Sequence, residues 1–129
     1  MTEPAFQPLS ALARKIADRE LSSAELLDHY IARIERHNPS LNAIVAMDLD
    51  RARDEAARAD EALAGGGAAR PLHGVPVTIK DAYEVAGLVS TGGVPGLRDH
   101  VPAEDAVAVA RLRRAGAIIV GKTNVPAYS

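Results

Sequence analysis

The chain has 129 residues, of which 47% are hydrophobic and 25% charged, a composition typical of one soluble globular domain. Its 15 basic and 17 acidic residues are spread along the sequence and leave a net charge of −2, which predicts no binding surface for nucleic acid or for an anionic membrane. Cysteine is absent, and neither a secretory signal in MTEPAFQPLS nor an apolar run of membrane-spanning length is found, so we predict a cytoplasmic protein without disulfides or thiolate chemistry.

The first predicted element is a short amphipathic helix that follows a tail at residues 1–8. Leu12 and Ile16 lie one helical turn apart and would share the buried face of this helix. Ser10 precedes both residues, and serine is a favoured N-cap because its hydroxyl accepts a hydrogen bond from an unpaired amide of the first turn. We therefore expect Ser10 to cap this helix.

A second, longer helix is predicted from a capping box. Ser22 and Glu25 have the spacing at which each side chain accepts a hydrogen bond from the other residue's backbone amide. Apolar residues then recur at helical spacing until Asn38 and Pro39 interrupt the pattern, since proline has no amide hydrogen to donate. The predicted apolar face consists of Leu27, Tyr30, Ile31 and Ile34.

A buried strand at 43–47 and a third helix are predicted next. The strand, AIVAM, is apolar and too short for a helix. The helix carries small residues at helical spacing, which would allow close packing on a neighbour, and it ends at the glycines that open a flexible loop at 65–71. Its carboxylates are spread around the helix, so no metal site is expected. The small residues are Ala52, Ala56 and Ala59, and the carboxylates are Asp48, Asp50, Asp54 and Glu55.

The second half of the chain is predicted to alternate strands with one helix. Residues 75–79 are rich in β-branched side chains and predict a strand, and residues 117–120 form another short apolar strand. Between them, residues 86–102 contain four glycines and two prolines, which predicts a long irregular loop. We expect a helix after this loop, opened by Glu104 and Asp105 at the positive end of its dipole.

The stretch GAIIVGKT at 116–123 satisfies the pattern of a phosphate-binding P-loop, G-x-x-x-x-G-K-[ST]. A P-loop follows a strand and opens a helix, whereas here a helix is predicted before Gly116, and Pro126 disfavours a helix after Thr123. Helix, glycine cap, strand and turn account for every residue of the stretch. We therefore predict no nucleotide site, and an α/β fold in which helices pack on a sheet.

Several motifs occur in the order and at the spacing of the amidase signature family, and together they resemble the N-terminal part of that family over residues 20–126. The resemblance implies that residues 1–129 are the N-terminal portion of one amidase domain, with helices on a mixed sheet and the C-terminal remainder absent. The motifs are GVPVTIKD at 74–81, VAGL at 85–88, STGG at 90–93, RAGA at 114–117 and GKTN at 121–124.

The resemblance implies an enzyme that hydrolyses a carbon–nitrogen amide bond of a small molecule with a Ser-cisSer-Lys triad, in which Lys80 is the catalytic lysine. A lysine side chain in water has a pKa of about 10.4, and burial lowers this pKa because it disfavours the charged form. We expect desolvation of Lys80 at the end of its apolar strand, so that its amine activates a serine nucleophile through a bridging serine. The resemblance implies neither a cofactor nor a metal.

The sequence also departs from the family pattern. Both triad serines of the family lie in a glycine- and serine-rich segment that is not found here, and Val94 and Ala127 stand where the family often has a serine and a glutamate. We expect the 129-residue chain alone to be inactive and marginally stable. We also expect a partly exposed apolar edge, because the strands at 75–79 and 117–120 would lack the partners that the rest of the domain supplies. No catalytic role is assigned to Ser10, Ser22, Ser23, Ser40, Ser90 or Ser129.

Three further polar residues have plainer interpretations. His73 is interpreted as a loop histidine rather than as a base. Asp81 is interpreted as a residue that caps a turn, with orientation of Lys80 as the alternative. Lys122 is expected to stabilise the turn after the last strand.

Two alternatives to a stand-alone amidase follow from the same resemblance. One is the A subunit of an amidotransferase that takes ammonia from glutamine or asparagine, although Asp-Ala-Tyr at 81–83 and Thr-Asn-Val-Pro at 123–126 favour the stand-alone enzyme. The other is a non-catalytic interaction domain derived from a truncated amidase, which would be indifferent to replacement of Lys80. A homo-oligomer is compatible with each of these hypotheses.

Overall fold

Residues 2–129 are described by the computed structural model, which leaves only Met1 of the predicted tail outside. One-turn 3-10 helices lie at Pro4–Phe6 and Pro95–Leu97. No helix in this part of the chain is both long and apolar enough to cross a membrane. The regular elements are α1 (Leu9–Ala17), α2 (Ser23–Leu41), β1 (Ile44–Met47), α3 (Leu49–Ala64), β2 (Pro76–Lys80), α4 (Val107–Arg114) and β3 (Ile118–Thr123).

The three strands form one mixed sheet in the order β1-β3-β2. The central strand β3 pairs antiparallel with β1 and parallel with β2. The predicted α/β fold with helices on a mixed sheet is confirmed. The expectation that both later strands lack partners supplied by the rest of the domain is wrong for β3, because β1 and β2 occupy its two sides. Strand β2 pairs with β3 on one side only and lies at the sheet edge.

The alternation of side chains along β3 connects two hydrophobic clusters on opposite faces of the sheet. Ile118 and Val120 pack with residues of α2 and α3, including the small Ala52 and Ala56, which are fully buried as their spacing predicted. Ile119 points the other way and packs against β2, α4 and the loop before α4. A third cluster joins α1 to α2 through Leu12, Ile16, Leu26, Leu63 and Val75.

Of the two N-cap residues predicted for α1 and α2, the structure has the one in α2 and not the one in α1. In α2 the capping box is formed: Ser22 Oγ accepts from the Glu25 amide at 3.0 Å, and Glu25 accepts from the Ser22 amide at 2.9 Å. The expected cap at Ser10 is wrong, because α1 begins one residue earlier, at Leu9, with Pro8 in the N-cap position. Proline needs no amide partner there, so the helix starts without a serine cap.

The end of α2 and the start of α4 also differ from expectation. Helix α2 continues two residues past Pro39, since its last turn is closed by the Asn42 amide bonding to the Asn38 carbonyl at 2.7 Å. Helix α4 begins only at Val107, so Asp105 lies before it and accepts hydrogen bonds from the Ala86 amide and the Arg113 side chain. Asp105 therefore bonds to Ala86 and Arg113 instead of interacting with the dipole at the start of α4.

The burial of β1 and the length of β3 differ from the prediction, because both depend on how the strands pair. Strand β1 is half exposed rather than buried, because it lies at an edge and alternates its side chains between core and solvent. Strand β3 continues through Gly121, Lys122 and Thr123, which the sequence placed in a turn. Gly121 allows this extension, since a β-carbon there would overlap the carbonyl of Ala46 in β1.

Candidate active site

The carboxyl ends of β2 and β3 bring two lysines to the same end of the sheet. These strands are parallel and adjacent, and the register aligns Ile79 with Lys122 and Lys80 with Thr123. The segment that follows β2 and the loop at 86–102 cover this end. In parallel sheets such strand ends are the usual place for functional side chains.

A bulge in β3 determines which face of the sheet Lys122 occupies. Two steps along β2, from Val77 to Ile79, match three steps along β3, from Ile119 to Lys122. Simple alternation from Ile119 would place Lys122 on the α2 and α3 face, whereas the bulge places it beside Ile79 on the face that packs against α4. Its ammonium group thereby reaches the loop before α4.

Lys122 is fully buried, with 0% of its surface exposed, and its Nζ donates two hydrogen bonds. One goes to Asp81 Oδ1 at 2.8 Å and the other to Ser90 Oγ at 2.7 Å. An ammonium group is costly to remove from water, and a close carboxylate is the partner that compensates this cost. Lys122 therefore belongs to a buried strand, and its interpretation as a residue that stabilises the turn after the last strand is wrong.

Asp81 is the carboxylate partner, and it is buried by the same loop. Its two carboxylate oxygens also accept hydrogen bonds from Thr91, at 3.1 and 3.2 Å from the amide and at short range from the hydroxyl. Burial raises the pKa of Asp81, but the hydrogen bonds from Lys122 and Thr91 outweigh burial and hold this pKa below its usual value. Asp81 is thus a buried anion rather than a solvated turn cap.

Ser90 completes the buried cluster, and its contacts distinguish it from a serine nucleophile. Its hydroxyl donates to the Leu88 carbonyl at 3.1 Å and accepts from the Val85 amide at 3.2 Å, in addition to the bond from Lys122. The hydroxyl proton is therefore directed at a carbonyl and not at the lysine amine, which is required as a proton acceptor in a serine–lysine pair. Ser90 is a structural link between the loop and β3.

Lys80 has the opposite environment. Its side chain is exposed, while its neighbours Ile79 and Asp81 are both buried. The desolvation expected for Lys80 is not found in residues 2–129, because alternation along β2 directs its side chain away from the face that carries Asp81 and Lys122. The Lys80 carbonyl accepts from the Tyr83 amide at 3.0 Å and begins the turn that ends the strand.

The other sequence candidates lie away from this end of the sheet. His73 is buried, and its Nε2 lies 2.9 Å from the Ala59 carbonyl oxygen of α3. Asp48 caps α3 by accepting from the Arg51 amide at 3.1 Å. Over residues 2–129, no group of three potential ligands is placed to hold a metal ion.

Sequence reasoning missed the buried Lys122–Asp81–Ser90 cluster. One signal could have revealed it: Lys122 follows four apolar residues and a glycine, and a lysine that continues a buried strand requires a carboxylate. Asp81 could have been proposed as that carboxylate, since it follows the other strand predicted in the second half. Ser90 and Thr91 become partners of this pair through the conformation of the loop before α4, which short-range sequence patterns do not predict.

Comparisons with known proteins match the motifs around this site. The family model described as Amidase matches residues 25–129. An acylamidase of Rhodococcus erythropolis is 41% identical over 128 residues, which are 98% of this chain and 27% of that protein. The A subunit of the glutamyl-tRNA(Gln) amidotransferase of Synechococcus sp. (strain CC9605) is 40% identical over 121 residues, 94% of this chain and 25% of that protein.

A solved structure agrees with the fold as well as with the sequence. The native peptide amidase from Stenotrophomonas maltophilia superposes with a TM-score of 0.83 at 35% identity, over 94% of this chain and 25% of that enzyme. The chain thus spans about a quarter of the length of the proteins it matches.

Proposed function

Because this chain belongs to the amidase family, we propose that it is the lysine-bearing N-terminal part of an enzyme that hydrolyses carbon–nitrogen amide bonds. The observation that carries the proposal is the position of Lys80 within the motif at 74–81: an exposed amine at the carboxyl end of a parallel strand, between two buried residues. An amine in this position can meet groups supplied by the rest of the enzyme.

In the proposed mechanism, Lys80 accepts a proton in its neutral form and acts through a bridging serine on a serine nucleophile. The nucleophile attacks the amide carbonyl, the amine leaves, and water hydrolyses the resulting acyl-enzyme. Backbone amides would stabilise the oxyanion. Desolvation of Lys80 is then a contribution of the remaining three quarters of the enzyme, since its side chain is exposed in this part.

We propose that residues 1–129 are inactive alone. Triad residues act as a unit, and removal of one member already eliminates most of the rate. No serine of this chain is assigned to the triad, and the structure gives Ser90 a different set of contacts. A small-molecule amide as substrate and the cytoplasm as location remain our predictions for the whole enzyme.

An amidotransferase A subunit is the second candidate. It is supported by the relative from Synechococcus, whose 40% identity is close to the 41% of the acylamidase. The same hydrolytic half-reaction would then release ammonia from glutamine or asparagine for a partner. Release of ammonia from glutamine, compared with hydrolysis of an acyl amide, distinguishes these two candidates.

The test of the proposed function replaces Lys80 by Met in the polypeptide expressed from the native gene, whose intact mass is measured first. We expect kcat for amide hydrolysis to fall on the order of 1000-fold or more, because the proposed proton acceptor of the triad is lost. Lys15→Met is the matched control, since Lys15 lies in α1, and it should retain kcat within about twofold.

Two results would contradict the proposal. Full activity of Lys80→Met would exclude a catalytic role for this lysine and would favour a non-catalytic domain. Turnover by the 129-residue chain alone that disappears with Lys80→Met would contradict the proposal that this part is inactive.

A further inference from the structure

We propose that Lys122 is a positioning residue: acting through Asp81, it holds in place the backbone that presents Lys80 at the end of β2. This inference rests on the proposed function of Lys80. Lys122 is fully buried, and its Nζ bonds to Asp81 and Ser90 rather than to Lys80.

Both the backbone and the side chain of Asp81 are fixed by hydrogen bonds. Its amide donates to the Thr123 carbonyl at 3.1 Å, and its carbonyl accepts from the Gly92 amide at 2.9 Å. Its carboxylate accepts from Lys122 and Thr91. Asp81 follows Lys80 directly, so these contacts determine the direction in which the Lys80 side chain leaves the strand.

Lys122 connects two segments that are distant along the chain. Its ammonium bonds to Asp81 after β2 and to Ser90 in the loop before α4, 41 and 32 residues away in sequence. Removal of Lys122 would eliminate the side-chain hydrogen bonds from this residue of β3 to both segments at once. The carboxylate of Asp81 would then depend on Thr91 alone for its side-chain contacts.

The stability of the fold does not by itself require a charge pair between Lys122 and Asp81. A buried ion pair replaced by well-packed apolar residues is often as stable or more stable. The bulge in β3 nevertheless directs a lysine, rather than an apolar side chain, to the face that carries Ile79. A geometric function for the pair explains this choice, because the Lys122 ammonium, itself held by a hydrogen bond to Ser90, orients the Asp81 carboxylate through a charged hydrogen bond.

The experiment compares Lys122→Met, the double variant Lys122→Met/Asp81→Asn, and the control Lys15→Met in the native-gene enzyme. Displacement of a catalytic group by a fraction of an ångström is costly, so we expect kcat of Lys122→Met to fall about 10- to 100-fold with KM within about twofold of wild type. The double variant removes the unpaired buried carboxylate and should regain much of the melting temperature, while its kcat stays low.

The double variant separates positioning from mere support of the fold. If kcat returns to the wild-type value together with the melting temperature, Lys122 supports only the fold, and the inference is overturned. If Lys122→Met does not fold, Ser90→Ala serves instead, because it removes one of the two Nζ partners and keeps the charge pair. We expect kcat of Ser90→Ala to fall several-fold to about tenfold, and an unchanged kcat would overturn the inference.

Failure of this inference can be told from failure of the proposed function. Loss of activity in Lys80→Met with wild-type kcat in the double variant refutes only the role of Lys122. Full activity in Lys80→Met refutes both, because Lys122 then has no catalytic lysine to position.

Discussion

Lys80 and Lys122 stand at the ends of adjacent parallel strands, yet their surroundings are opposite. Lys122 is completely enclosed and bonded to Asp81 and Ser90, whereas the Lys80 side chain is exposed. The difference comes from the side of the sheet that each residue faces. A buried ammonium next to a carboxylate is suited to holding structure, and an exposed amine is suited to meeting another group.

The charge of Asp81 leads to a prediction about stability and pH. Because its pKa in the folded chain is lower than in the unfolded chain, ionised Asp81 stabilises the fold above its ordinary pKa of about 3.9, and this contribution is lost as the pH falls through the lower folded value. We expect the difference in unfolding free energy between wild type and Asp81→Asn to be largest near neutral pH and to shrink below about pH 4.

Urea unfolding across this pH range measures that difference. The matched control is Asp99→Asn, which replaces an exposed aspartate of the loop before α4. A difference between wild type and Asp81→Asn that stays constant from neutral pH down to about pH 3 would show that the Asp81 charge contributes nothing.

Among the elements, α2 shows how strongly a local signal can determine a boundary. Both reciprocal hydrogen bonds of its capping box are present, and its face packs on α3 and β3. In α1 the corresponding serine lies one residue inside the helix, and the start is set by Pro8. The two serines therefore differ in what they contribute, although the sequence suggests the same role for both.

This difference predicts unequal effects of two alanine substitutions. Ser22→Ala removes the bond to the Glu25 amide and should lower the unfolding free energy by about 1 kcal/mol. Ser10→Ala removes an exposed hydroxyl in the first turn of α1 and should change it by less than about 0.5 kcal/mol. Chemical denaturation of the two variants gives the comparison, and an equal loss in both would restore Ser10 as a cap.

At the scale of the whole molecule, residues 2–129 expose apolar surface in a groove and at a sheet edge. An apolar groove of about 580 Å³ lies between α2 and the sheet, lined by residues that include Ile34, Leu41 and Val77. At the β1 edge of the sheet, Val45 is 44% exposed. Open strand edges and apolar grooves favour association with other chains.

We therefore expect the 129-residue chain to self-associate at micromolar concentration, to bind the dye ANS and to melt over a broad range. Val45→Lys places a charge on the edge strand and should reduce the association seen by sedimentation. Val101→Lys is the control, since Val101 is also exposed but lies in the loop before α4. A cooperative melt of a monomer that binds no ANS would refute this expectation.

Much of the fold could be predicted from short-range patterns. Helical spacing identified the buried residues Leu12 and Ile16 of α1 and part of the buried face of α2, where Leu26 was missed. Short patterns also located all three strands to within a few residues. The sheet order and the position of Asp105 could not be predicted, because each depends on residues distant in the chain. In the site, the motif singled out Lys80, while the partners of Lys122 became apparent only from the pairing of β2 with β3.

The sequence by itself determined the family, since its motifs carry residue identity and order, and it determined the helices whose caps and apolar faces are local. Only the tertiary structure decided which lysine is buried and which is exposed. The physical reason is the bulge in β3: one additional residue in the strand reverses the face of Lys122, and a bulge forms only when two strands pair. The sequence of a strand predicts that successive side chains alternate between the two faces of the sheet. Pairing with the neighbouring strand determines which face each side chain occupies.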